Sequence, residues 1–595
     1  MQVVCLIRRY GWVALMLFAF VCAPFPCFAG SATWKAAPAS GIWNRVANWD
    51  PATIPSRPRD TATFATSSQT AIALRSAITL GGAVFDAGAS AYNFTVGPGL
   101  SLDFMKTGVT NNSGVTQSFV STTDAFGNFG LISFSRRVTA GELCSFTTEP
   151  GVLNAASGSL IEFNNFANAG RSAFINNGAA VSGAGGGETD FFDNTSADEG
   201  TFTANAGSAS GAAGGKIAFF GSSTAAAGDF EAKGGGVAGA FGGSIVFRGT
   251  ATADSATITL EGGLADGPTG ANISFEESAT AGYAFINVNG GQVAGTSNGA
   301  ILNFLDSSTS GGTQIFVFDG AVEDAQPGAL YFYDDSDAQL GLIRLFDGVL
   351  DVSAHNPGTV KIGCILGYYG NAYLGANNLE IGGNNIVQVL EVAFHDGGIA
   401  GGTGGSITKA GDNELYLEVE SDFTGGITVN EGTLILNSPV GSASGPGAVV
   451  INRGNLYGFY AIDGPITVND GGTLLPWGNA FVSYYGNFET RSTVRFAAGS
   501  RYVWDLKTTS TETDLLSANG VTIDSGAIFT PVVSGLRKLE AGLELVAISN
   551  TSVNPIAGVF DGLPEGSVVT VGPGNSAQVS YSGGDGNDFT LTVLP

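Results

Sequence analysis

The stretch "GGKIAFFGSSTAAAGDFEAKGGGVAGAFGGSIVF", Gly214–Phe247, ends almost as it begins. "GGKIAFF" and "GGSIVF" place Phe219 and Phe247 28 residues apart, each with an isoleucine two positions earlier, Ile217 and Ile245. Residues i and i+2 of a strand share a face, so each phrase aims an Ile/Phe pair at one interior. Working outward, the phrase recurs as "GSLIEF" ending at Phe163, "GGETDFF" containing Phe191 and "GANISF" ending at Phe275. It continues with "AILNF" at Phe304, "GALYF" at Phe332 and a weaker "GTVKI" at Ile362. From Phe163 the steps are 28, 28, 28, 28, 29, 28 and 30 residues. A second ladder, Phe174, Phe202, Phe230, Ile258 and Ile286, keeps a step of 28 throughout.

Two registers advancing together mean that each unit repeats one shape. No unit could bury its apolar face alone, so the units must stack. Stacking puts Phe over Phe and Ile over Ile, with successive coils about 4.8 Å apart and hydrogen-bonded along their length. Gly-Gly pairs between strands supply positive φ at the corners, where a Cβ would clash. A helical repeat would need apolar residues at i, i+3, i+4 and i+7, and these units lack them. The pattern predicts an all-β chain: a long β-solenoid, a right-handed parallel β-helix with coils of about 28 residues.

Composition fits that reading. Glycine supplies 90 of 595 residues and phenylalanine 40, and 44% of the chain is hydrophobic, too much for a disordered glycine-rich polymer. Arg8 and Arg9 precede an apolar run, Val13 to Val21, and the stretch closes on Cys27-Phe28-Ala29. This reads as a secretory signal peptide over 1–29, cleaved near Ala29. A membrane anchor is the alternative, but the apolar core is short for a span and no other run reaches about 18 residues. Removing the leader removes two of 24 basic residues and none of 51 acids, so the mature net charge is 22 − 51 = −29. Such a surface repels phosphate backbones, which excludes nucleic acid as a partner class. Three of the five cysteines fall in the leader, so Cys144 and Cys364 cannot form a disulfide framework.

Residues 30–64 are rich in tryptophan and proline (Trp34, Trp43, Trp49, Pro51, Pro55, Pro58) and suit a cap over the first open coil. Residues 65–480 read as the solenoid, clearest over 158–362; about 15 coils would make a rod roughly 70 Å long. From 481 to 595 the period loosens into alternating strands such as "VTIDSGAIFTPVV", read as a small C-terminal β-rich cap or domain.

A different phrase appears at Ile407–Leu436, "ITKAGDNELYLEVESDFTGGITVNEGTLIL", echoed by "ITVNDGGTLL" at 466–475. Its Thr408, Lys409, Gly411, Leu415, Leu417, Thr424, Gly425, Gly426, Thr428, Val429, Gly432, Thr433 and Leu434 resemble the autotransporter-associated β-strand repeat. Glu414 stands where that family usually has Gly, and Phe423 where it commonly has Tyr. "ANWDPATIPSRPRDTATF" (47–64) and "YSGGDGNDFTLTVLP" (581–595) also resemble large secreted proteins of this kind from environmental Gram-negative bacteria. The resemblance implies a passenger-like β-helix displayed at or beyond the cell surface, generally without catalysis. The membrane barrel that would complete an autotransporter is not expected in the roughly 115 residues after 480.

Candidates for chemistry are thin. His355 and His395 are the only histidines, and His395-Asp396, as strand neighbours, point to opposite faces. Cys144 and Cys364 read as small buried hydrophobes. "YDDSD", Tyr333–Asp337, is the densest carboxylate group, at a corner that other coils fill with polar residues. "GGDGND", Gly583–Asp588, matches the start of a calcium-binding nonapeptide, which makes Asp585 and Asp588 weak calcium candidates; a tight hairpin turn is the competing reading. Tyr331 with Tyr333, Tyr368-Tyr369, Trp477 and Tyr484-Tyr485 could stack on sugars where they face outward.

These features carry no catalytic residue and no cofactor. They predict a non-catalytic extracellular or cell-surface rod for adhesion or matrix assembly, with extracellular polysaccharide or cell-surface components as partners. The alternatives are a polysaccharide-active β-helix lyase or hydrolase, and a calcium-stabilised surface-layer protein. The placement of the acids separates them: in a groove with basic residues and aromatics, stacked at one corner, or dispersed.

Overall fold

The computed structural model describes residues 30–296, 298–476 and 486–595; the segment 1–29, expected from the sequence to be a leader, lies outside them. The described residues form strands throughout, with one 3-10 turn at Val46–Asn48.

Between Leu131 and Phe346 each coil has two strand-bearing sides. On the first, Leu160–Asn165, Glu188–Phe191, Lys216–Phe219, Ser244–Phe247, Asn272–Phe275, Ile301–Phe304 and Ala329–Phe332 pair in parallel, and the partners are one repeat apart. On the second, Arg171–Asn176, Thr201–Ala204, Asp229–Ala232, Thr257–Leu260, Phe285–Val288, Gln314–Phe318 and Leu342–Phe346 do the same. A short third side links them through single parallel bridges, Asn168 to Ser196 to Thr224 to Thr252 to Thr280 to Thr309. It has room only for small inward residues, among them Ala225, Ala253 and Ala281, all fully buried. The extra residue in the one 29-residue step sits in the closing loop 289–300, so both strand registers survive it.

The seven phenylalanines from Phe163 to Phe332 form one buried column, as their spacing predicts. Their rings lie 4.6–5.0 Å apart and within 10° of parallel. The second ladder stacks Phe174, Phe202 and Phe230 in the same way and meets the first edge to face, as in Phe219–Phe230 at 5.8 Å and 69°. Burial of each such ring contributes about 1.5–3 kcal/mol, so the core is a sum of like increments. It is continuous: one buried apolar cluster runs from Ala32 to Val593.

Both corners flanking the third side force a left-handed residue. At the first corner, Asn165, Asp193, Gly221, Gly249, Glu277, Asp306 and Asp334 occupy equivalent places with φ between 52° and 75°. Glycine takes that conformation freely, and Asp and Asn tolerate it better than other residues. The acidic members gain a further contact with the coil before them. Asp193 accepts from the Asn165 amide, Glu277 from Gly249, Asp306 from Glu277 and Asp334 from Asp306, at 2.8–3.1 Å.

Two sequence expectations need correction. The period of 28 does not run the length of the solenoid. From Thr359 a new parallel sheet steps from Val360 to Leu379, Ile407, Ile427, Val449, Ile466 and Val494, or 19, 28, 20, 22, 17 and 28 residues. Nor does stacking end at 480. Val494–Phe496 pairs in parallel with Val521–Ile523, and Arg501–Lys507 with Ile528–Ser534. Coil length there drifts with the loops while strand alternation persists, so a fixed-period reading loses the solenoid before it stops.

Antiparallel strands close both ends. Ala32–Trp34 pairs antiparallel with Trp49–Asp50, and Trp34, Trp43 and Trp49 pack on Phe64, the first ring of the interior column. At the other end Glu544–Asn550 pairs antiparallel with Asp588–Val593, which pairs antiparallel with Ser576–Gly583.

Candidate binding face

On the second side, four successive coils carry polar residues in one outward column, Thr203, Glu231, Thr259 and Asn287, after Ile175 in the coil before them. Lys233, beside them, pairs with Glu231 and Glu261. The same column then turns apolar. Asn287 is followed in register by Phe316, Arg344, Leu366, Val389, Tyr416, Ile435 and Tyr457. Inward neighbours such as Ile315, Ile343, Ile365, Leu390, Leu415, Leu434 and Leu456 are fully buried, so these strands are apolar on both faces. A one-sided strand needs only alternate apolar residues, and the second apolar face therefore calls for another explanation.

The floor of this face is aromatic at one end. Phe318, Phe346 and Tyr368 stack ring over ring at 5.3 and 6.1 Å, and Phe285 lies 4.7 Å from Phe316. The Arg344 guanidinium sits 5.0 Å from the Phe316 ring centre, a cation–π contact. Arg344, Phe346, Leu366, Tyr368, Val387 and Val389 line a depression of about 380 Å³. Tyr368 is 60% exposed and Val389 43%. Further along, the Tyr416 hydroxyl donates to Glu414 at 2.9 Å; burial and that carboxylate push the phenol up to about 12. Glu391 and Glu418 flank the column on its other side, where Asn437 donates to Glu418 at 3.1 Å.

The residues singled out in the sequence are scattered over the rod. His395 meets Asp422 through Nδ1 at 2.8 Å and Asn371 through Nε2 at 3.2 Å, and it packs on Tyr373. Its neighbour Asp396 instead binds Thr424 Oγ1 and the Gly405 amide, at 2.6 and 2.9 Å. His355 contacts the Asn356 carbonyl at 2.6 Å. Cys144 and Cys364 are free and buried, their thiols pushed up to about 12 and about 11 by burial. In Tyr333–Asp337, Asp334 is the corner residue described above, Asp335 accepts from Asn356, and Asp337 accepts from the Lys361 amide. Asp588 is buried and accepts from the Asn550 amide at 2.8 Å, while Asp585 is exposed on the hairpin turn. Among the described residues no three His, Cys, Asp or Glu side chains converge as a metal site. Tyr331 and Tyr333 lie 5.9 Å apart on the first side, away from the apolar column. Trp477, Tyr484 and Tyr485 lie outside the described residues.

The repeat-like segment at 407–436 is one short coil. Ile407 pairs with Ile427 and Leu415 with Leu434. Lys409 is the inward residue at its corner: its buried ammonium donates to the Ala410 and Gly411 carbonyls at 2.7 and 2.6 Å and to Glu431 at 3.4 Å. Gly411 and Gly432 turn that corner with φ of 69° each. Lys409, Gly411 and Gly432 are thereby spent on turning the chain, and Tyr416 and Ile435 contribute to the apolar column.

The outward column was not singled out in the sequence, though a signal existed. "QIFVF" and "CILGYY" put Phe316, Phe318, Leu366 and Tyr368 at alternate positions that "DFEA" fills with Asp229 and Glu231.

No protein-family model matches the chain, and no curated protein matches it. Among solved structures it is similar to the crystal structure of the Haemophilus influenzae Hap adhesin, with 9% identity over 92% of this chain and a TM-score of 0.33. This chain spans 65% of that one.

Proposed function

We propose that the protein is a non-catalytic extracellular rod of the passenger-like β-helix kind, which attaches to its surroundings through one side of the solenoid. The observation that carries this reading is the largely apolar outward column from Phe316 to Tyr457, which follows four coils whose members of the same column are polar, Thr203 to Asn287. Val389 in the column and Tyr368 beside it stand exposed, and grouped exposed apolar residues of this kind mark interaction sites. The leader at 1–29 and the strand-repeat resemblance at 407–436 support export and display. Among the described residues no helix is long and apolar enough to cross a membrane.

The corner column bears on the calcium-stabilised alternative. Glu277, Asp306 and Asp334 are stacked as such a wall would require, but each gives an oxygen to a backbone amide one coil away. Those bonds account for the carboxylates without an ion. For an enzyme, acids and basic residues would have to converge beside the aromatics, and the apolar column brings together one cation and separated carboxylates.

Two measurements test the proposal. Antibody labelling of intact cells and of the culture medium is expected to find the mature chain, beginning near Gly30, and loss of the protein is expected to reduce attachment. Retention in the cytoplasm, or release of new reducing ends from any polysaccharide, would overturn it.

A further inference from the structure

We propose that the outward column from Phe316 to Tyr457 is a track for one neutral polysaccharide chain lying along the rod axis; this deepens the attachment reading above. Three features of the face point to that ligand class. First, the track is long and runs from coil to coil. Seven coils contribute one residue each, with Leu366 and Val389 beside the paired Gly367 and Leu390 and Ile435 buried between Tyr416 and Tyr457, about 30 Å at the coil spacing of a parallel sheet. That suits an extended polymer with roughly one ring per coil better than a globular partner.

Second, floor and rim differ in chemistry. A pyranose ring offers apolar C–H faces and a polar equator of hydroxyls. Phe316, Leu366, Val389 and Tyr416 give the floor that those faces pack on, and aromatic rings present large rigid area for such contact. Glu391, Glu414 and Glu418 stand beside the floor as acceptors for hydroxyls. A ligand pocket with an apolar bed and a few fixed polar groups is the usual pattern for recognition of such molecules.

Third, charge removes the main rivals. The track carries Arg344, already placed over Phe316, against Glu391, Glu414 and Glu418. An anionic polymer would meet net repulsion along it. A second copy docking through the same face in two-fold fashion would bring these carboxylates against themselves, in a chain of net charge −27.

The test uses the full mature chain, residues 30–595, in affinity electrophoresis and calorimetry with three soluble polymers: a neutral glucan, a polyuronate and a glucosamine polymer. Retardation by the neutral glucan, persisting in 0.5 M salt, is expected. F316A and Y416A are each expected to weaken it about tenfold, and T203A, on the polar part of the same side, to leave it unchanged. Should F316A or Y416A fail to fold, Y368A probes the exposed end of the floor instead. Several results would overturn the inference: no binding to the neutral polymer, binding to the polyuronate alone, or binding to the glucosamine polymer alone that salt abolishes. Dimerisation of the wild type that F316A removes would also overturn it, by making the face a self-association surface. A surface-displayed protein that ignores neutral glycans sinks this inference and spares the attachment reading. A cytoplasmic protein sinks the attachment reading independently.

Discussion

The rings of Phe219 and Phe247 lie 4.6 Å apart and 3° from parallel. The two rings are one coil spacing apart in a column in which each phenylalanine from Phe163 to Phe304 has a phenylalanine above and below it. Because neither ring can shift without displacing its copies, the column ties the coils together beside the backbone ladder, the Phe174–Phe202–Phe230 stack and the corner carboxylates.

Phe247→Ala is expected to cost about 3–5 kcal/mol, the range for a large core side chain removed where stacked neighbours cannot collapse into the space. Val246→Ala, one residue away and pointing outward, should cost under about 1 kcal/mol. Urea unfolding of both variants measures the contrast, and equal midpoints would show that the column is not the stabilising core.

Asp306 holds φ of 55° and accepts from the Glu277 amide at 2.8 Å. Asp306→Val places a β-branched residue in the left-handed region and is expected to lose about 1–3 kcal/mol. Asp306→Gly, which loses the carboxylate but relaxes the backbone, should stay within about 1 kcal/mol of wild type. If Val and Gly were equally tolerated, backbone strain would not govern the corner.

Stability should fall as pH rises from about 4 to 8. Asp514 is fully buried, and burial pushes its carboxyl up to about 8 even though it accepts from the Gly486 and Asp505 amides. Burial also raises Asp190, aided by the neighbouring Glu188 carboxylate. The folded state keeps these protons where an unfolded carboxyl, with a pKa near 3.9, has lost them. Folded protein thus binds more protons in this window; the stability these groups contribute is complete below about pH 4 and declines through 8. In Asp514→Asn the decline in melting temperature between pH 5 and 8 should shrink. An unchanged slope would show that Asp514 does not carry it.

Lys409→Met should cost about 1–3 kcal/mol, because it removes the donor to the Ala410, Gly411 and Glu431 carbonyls while keeping the apolar stem. Burial pulls this ammonium down to about 8, so its protonation opposes folding between about pH 8 and the ordinary lysine value near 10.4. Stability limited by Lys409 should therefore rise with pH in that window, and the variant should lack the rise. Thermal melts at pH 8 and 10 measure it.

The sequence by itself determined the coil and its core. Like-over-like stacking requires each side chain to fit its own copy, and that demand prints the same residue at a fixed step, as at Phe163, Phe191, Phe219 and Phe247. The corner column was half legible: "DN", "GS" and "ES" mark polar turns, but the left-handed backbone and the amide each acid binds one coil away belong to three dimensions. The binding face was decided only by tertiary structure. Its members, Phe316, Arg344, Leu366, Val389, Tyr416, Ile435 and Tyr457, follow at steps of 28, 22, 23, 27, 19 and 22 residues. Those steps are set by loops of unequal length and by a register shift between Tyr368 and Asn371. Neighbours on a parallel sheet are a whole coil apart in sequence, so where coil length varies, only the hydrogen-bonded ladder fixes which side chains stand together.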